Sequence, residues 1–183
     1  MEPTTSESGG ALRRAIAVGG LVAGSLDITD AFVYSGLRGA SPVRVLRYIA
    51  SGLLGPDALT AGIPVAALGL LLHFFIATSI VTLYVLVSRK LTLLARHPFL
   101  CGPLYGVLAF LVMNRIVVPL SRVPPPSAPM PLVSLINQVA IHAIGIGLTA
   151  ALAARWLSRR RAPGAADAAS LDTPASASVQ TSS

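Results

Sequence analysis

Hydrophobic positions along this chain gather into four long runs, each about 20 residues or more and each closed by a short polar or basic stretch. At 1.5 Å per residue, about 20 helical residues cross a hydrocarbon core roughly 30 Å thick, so each run is long enough to span a bilayer. Lipid offers no hydrogen bonds to backbone N–H and C=O groups, which restricts such runs to helices. The pattern predicts an all-α polytopic membrane protein: a four-transmembrane-helix bundle within residues 13–161, with spans at 15–37, 61–87, 99–120 and 132–154. The stretches 1–12 and 162–183 have no apolar periodicity and read as unstructured tails.

Between the first two runs, Ser41-Pro42 offers a helix cap and a first-turn proline, and Gly55-Pro56 offers a stop. The segment 42–54 is therefore expected to form a short amphipathic helix at the membrane interface. Val45, Leu46, Ile49 and Leu53 make its apolar face, and Arg44, Arg47 and Ser51 the polar one. Between the last two runs, SRVPPPSAPMP has five prolines in eleven residues and is expected to be an extended connector.

Composition reinforces this picture. Hydrophobic residues make up 54% of the 183 and charged residues only 11%, against roughly a quarter in a soluble domain. Mean hydropathy is +0.73. The net charge of +7 does not point to nucleic acid, because the basic residues sit in clusters at the edges of apolar runs. With four spans, nine of them (Arg13, Arg14, Arg89, Lys90, Arg96, Arg155, Arg159, Arg160 and Arg161) fall on one side and four (Arg38, Arg44, Arg47 and Arg122) on the other. The positive-inside rule then assigns both termini to the cytoplasm of a bacterial-type inner membrane. Arg13-Arg14 before an apolar run could open an export signal, but Asp27 and Asp30 break the run and three more spans follow, so it reads as a retained helix. Cys101 is the only cysteine, which rules out an intrachain disulfide. No metal or other cofactor is expected.

The chemically interesting residues are polar groups inside the spans, where a central charge costs about 2.5–3.5 kcal/mol on insertion scales. Asp27 and Asp30 lie in the first span, His73 in the second, Arg115 in the third and His142 in the fourth, together with Asn114, Asn137 and Gln138. Measured from the outer ends, Asp30, Arg115 and Asn137 fall at a depth of roughly 8–10 Å, Asp27 and His142 at about 15 Å, and His73 at about 18 Å. This layering predicts one intramembrane cluster in which both carboxylates face Arg115. Gly20-x-x-x-Gly24 and Gly102-x-x-x-Gly106 permit close helix approach, with Pro103 expected in the first turn of its helix. Ala17, Gly20, Gly24, Asp27 and Ala31 form an inward stripe in the first span. Ala66, Gly69, His73, Ala77 and Tyr84 do so in the second, and Ser134, Gln138, His142, Gly145 and Thr149 in the fourth.

The GGLVAG first helix, HFF second helix, GPLYG third helix and Pro-rich link into the fourth resemble, in layout, uncharacterised four-span bacterial inner-membrane proteins of the YagU-like kind. That resemblance covers about residues 15–157 and implies inner-membrane location alone. The chain has no nucleophile elbow, HExxH pair, phosphate loop or repeated metal-ligand spacing. It is expected to be a non-enzymatic structural or partner-binding component whose partners are the lipid bilayer and either further copies of itself or another membrane protein. The alternative is a small permease or proton-coupled channel working through the Asp/Arg/His cluster.

Overall fold

The computed structural model describes residues 5–125 and 129–160, and among these the protein is helical with no strand. Six helices follow in order, α1 (Thr5–Gly36), α2 (Pro42–Leu54), α3 (Ile63–Ser88), α4 (Thr92–Arg96), α5 (Pro98–Leu120) and α6 (Leu132–Arg160), with a short 3-10 helix at Pro56–Leu59 between α2 and α3. α1, α3, α5 and α6 are long and apolar enough to cross a membrane, and they pack as a four-helix bundle. Much of each helix wall is large and apolar, yet the bundle does not bury it.

Burial is inverted relative to a water-soluble protein. Buried positions are mostly small: Ala15, Ala23, Ala50, Ala66, Ala77, Ala109, Ala150, Ala151 and Ala154, joined by Ser51, His73 and Ser134. The outward positions are large and apolar, with Leu71 69%, Phe75 70%, Phe99 71%, Leu100 65% and Ile144 63% exposed. In lipid, apolar side chains gain little by leaving the solvent, so helices associate through close van der Waals packing of small residues and through polar contacts. The distribution is that of a multi-pass membrane protein.

Several boundaries differ from the sequence expectation. The tail expected over 1–12 is helical from Thr5, because Ala11 and Leu12 pack against the buried core and extending a formed helix costs little. α6 likewise continues past residue 154 to Arg160, since Leu157 is buried and Trp156 packs on the core. The expected tail over 162–183 lies outside the described residues. α4 was not anticipated; the Tyr84 hydroxyl donates to the Leu94 carbonyl (3.0 Å) and ties this short helix to α3. Pro103 lies inside α5 rather than in its first turn, because the helix starts at Pro98.

α2 begins where Ser41 Oγ accepts from Arg44 N–H (3.3 Å) and ends at Gly55, whose φ of 87° favours glycine. Its facing departs from the expectation at three positions, while Val45, Leu46 and Ile49 are partly buried and Arg44 is exposed. Ser51 is fully buried and the Arg47 Nε is enclosed without a hydrogen-bond partner among the described residues, whereas Leu53 is 55% exposed. The bundle accepts small and polar groups and leaves large apolar ones to lipid, so an interfacial helix turns the same way. α2 meets α3 where a Cβ on Gly69 would overlap the Leu46 carbonyl. The start of the proline-rich connector is pinned to α2 by Arg122 N–H donating to Gly52 O (2.9 Å). Residues 121–125 and 129–131 form no helix.

Candidate functional site: a polar ladder between membrane helices

α1 and α6 run antiparallel, so residues ascending one helix meet residues descending the other. Tyr34 OH donates to Ser134 Oγ at 2.7 Å. One turn deeper, Asn137 Nδ2 donates to Asp30 Oδ2 at 2.8 Å. Deeper still, His142 Nδ1 lies 3.8 Å from Asp27 Oδ1. Positions 27, 30 and 34 share one face of α1 because they follow helical spacing, and the three rungs join α1 to α6.

Asp27 is also approached from α3, with His73 Nδ1 4.0 Å from its Oδ2. Both imidazole–carboxylate distances exceed hydrogen-bond length, so these contacts are electrostatic. The ring protons are committed elsewhere. His73 Nε2–H donates to the Gly24 carbonyl (2.8 Å), and His142 Nδ1–H to the Gln138 carbonyl (2.9 Å), since a carbonyl can only accept. In its neutral form His73 therefore turns a lone pair toward Asp27. α5 enters the group through Phe110, whose ring meets His142 edge-on at 5.5 Å between centroids.

Not every expected member takes part. Arg115 is exposed on α5 and makes no ion pair among the described residues, so the expected pairing of both carboxylates with Arg115 is not formed. The reason is angular: Arg115 lies nine residues beyond Gly106, and seven regular helical steps followed by two inside the π segment Met113–Val117 still turn it to the side of α5 away from α6. Gln138 contributes its backbone carbonyl, and Asn114 Nδ2 donates to Phe110 O of its own helix (3.1 Å).

Glycines set the helix spacing around the ladder. A Cβ on Gly20 would lie 2.9 Å from Thr78 Cβ, and one on Gly24 would lie 2.7 Å from Phe74 Cδ1, so α1 packs closely on α3 there. Ala17, at the start of that stripe, is exposed. Where α5 crosses α6, a Cβ on Gly106 would overlap the His142 carbonyl, and one on Gly102 would come within 2.9 Å of the Gly147 carbonyl. Gly147, not Gly145, forms the α6 side of this crossing; Gly145 faces Ile141 of its own helix and Leu26 of α1.

This rearrangement has a local cause. Residues His142–Leu148 form a π-helical segment, and Met113–Val117 form another in α5. A π turn inserts one residue into the helical count. Before it, Ser134 lies inward; after it, the buried positions are Ala150, Ala151, Ala154 and Leu157, so the inward stripe has moved on from Thr149. His142, at the start of the segment, keeps the inward stripe of Ser134 and Gln138, and the segment that follows brings Gly147 against α5.

Fold and site together define an all-α, multi-pass membrane protein with polar contacts buried between its spans. No family model, curated protein or solved structure matches the chain.

Proposed function

We infer that this protein is a non-enzymatic structural or partner-binding component of a bacterial inner membrane, with both termini in the cytoplasm. The observation that carries the structural role is the ladder itself. Asp30–Asn137 and Tyr34–Ser134 are direct interhelical hydrogen bonds, and the Asp27–His142 contact and the His73–Gly24 bond draw α1, α3 and α6 together. Polar contacts of this kind between membrane helices are worth about 0.6 kcal/mol on average and up to about 1.7. Several of them fix register and facing without creating a path for solute. A cleft between α1 and α6 and another between α3 and α5 are lined by none of Asp27, Asp30, His73 and His142.

The inner-membrane orientation draws support from the nine-to-four bias of Lys and Arg between the two ends of the spans. The exposed large apolar helix faces support association with further copies or with another membrane protein. Purification in mild detergent should recover the chain with a stoichiometric partner or as a homo-oligomer; recovery as a monomer alone would contradict the partner role. Reporter fusions at Arg89–Arg96 and at both termini should all report the cytoplasm.

One observation favours a second reading, a proton-coupled permease or channel. Asp27 lies between two imidazoles and has no arginine partner among the described residues, and a single proton shared with His73 would turn a lone-pair repulsion into a pairing. Proteoliposomes distinguish the two. The structural role predicts tight vesicles across a broad panel of solutes and protons, while a flux abolished by Asp27→Asn would establish the permease.

A further inference from the structure

At the end of the bundle that carries the chain termini, α1 and α6 leave between them a cleft of about 410 Å³. Its floor is formed by small residues: a Cβ on Gly19 would lie 3.0 Å from Ala153 Cβ, so the two helices touch there. Val18, Val22 and Leu152 wall it with apolar surface. Arg14 and Arg160 stand at its mouth, and Trp156 lines it, with the Arg160 guanidinium 5.2 Å from the centroid of the indole. Among the described residues no carboxylate lines the cleft and neither arginine makes an ion pair.

The geometry points to a binding site for one anionic phospholipid. From Arg14 to Val22 the cleft runs roughly 12 Å along α1, close to the depth of one leaflet of the hydrocarbon core. A lipid fits both halves of this surface. Its phosphate meets two guanidinium groups at the level of the headgroups, where Arg forks match phosphate oxygens, and an acyl chain lies along Val18, Val22 and Leu152. A free phosphate ion would leave the apolar wall without a ligand. A zwitterionic lipid would bring a cationic group to the arginines along with its phosphate. The site is separate from the polar ladder and stands whichever role that ladder has.

Trp156 is the only tryptophan in the chain and lines the cleft, so its fluorescence reports directly on an occupant. The full chain would be reconstituted in phosphatidylcholine vesicles containing a low fraction of either phosphatidylglycerol or phosphatidylcholine brominated along the acyl chain. Brominated phosphatidylglycerol should quench Trp156 more than brominated phosphatidylcholine at equal fraction. Its apparent affinity should fall about fivefold with Arg14→Gln or Arg160→Gln and about 30-fold with both. The charge-matched pair Arg13→Gln with Arg159→Gln, outside the cleft lining, should retain the preference. Inorganic phosphate at the same ionic strength as a chloride control should leave quenching unchanged. Equal quenching by the two lipids would overturn the site, as would loss of the preference in the Arg13/Arg159 pair, which would mark diffuse surface charge. Relief by phosphate would identify an ion site instead. Absence of quenching by either lipid in a chain that cross-links through the cleft would assign the groove to a second copy.

Discussion

The two ends of the bundle are held together by different physics. At the end bearing the chain termini, Ala15, Ala23, Val81, Tyr84, Val85, Ala150, Ala151, Ala154 and Leu157 form a core of mostly small apolar groups. At the other end, Asp30, Tyr34, Ser134 and Asn137 exchange hydrogen bonds across helices, and Asp27 lies against His73 and His142. Water exclusion drives neither arrangement in lipid. The first relies on backbone approach and dispersion, and the second on polar groups that have no better partner in hydrocarbon. The π segment His142–Leu148 sits where one regime passes into the other and serves both.

The comparison can be broken most severely at the glycine crossing. Gly106→Val should remove most of the folded protein, because its side chain would overlap the His142 backbone, which cannot swing aside; a cost at or above the usual overpacking range of about 1–3 kcal/mol is expected. Gly145→Ala should be much milder, since the nearest obstacle is the flexible end of Ile141. Membrane abundance and thermal unfolding in detergent check the pair, and equal damage from both would remove the distinction between backbone and side-chain contacts.

Next in size is His73→Ala, which deletes a buried ring together with its bond to Gly24 O and should cost about 1.5–3 kcal/mol in unfolding. Tyr34→Phe removes one part-buried hydroxyl from the end of the ladder and should cost about 0.6 kcal/mol by the same measurement. Smallest of all is Arg115→Gln, expected within about 0.5 kcal/mol of wild type, because the side chain is exposed and pairs with neither carboxylate. A strong rescue of Asp27→Asn or Asp30→Asn by Arg115→Gln would restore the ion pair that the geometry lacks.

The all-α four-span architecture was legible from run length and polarity, because lipid leaves the backbone few choices. The matching of layers between the first and fourth spans was also legible, since rise per residue is fixed: Asp30 meets Asn137, and Asp27 meets His142. What depth cannot supply is facing. Arg115 shares a layer with Asp30, yet the angle from Gly106 turns it outward, and the facing test applied to the other spans would have found this from sequence. The shift from Thr149 to Ala150 and the use of Gly147 in place of Gly145 were not legible, because a π turn leaves no periodic signature in so apolar a segment. The burial of Ser51 and of the Arg47 Nε is not legible from an amphipathic pattern alone, because that pattern separates an apolar face from a polar one at an interface and does not say which of them meets a bundle that buries small groups.

The central claim is that the polar residues of the spans hold helices to one another. A double-mutant cycle on Asp30→Ala and Asn137→Ala, read by reversible unfolding in detergent or bicelles, tests it most directly. A coupling energy of about 0.6 kcal/mol, and up to about 1.7, is predicted for the 2.8 Å bond between α1 and α6. Strictly additive effects would contradict the account and leave the carboxylates without a structural purpose.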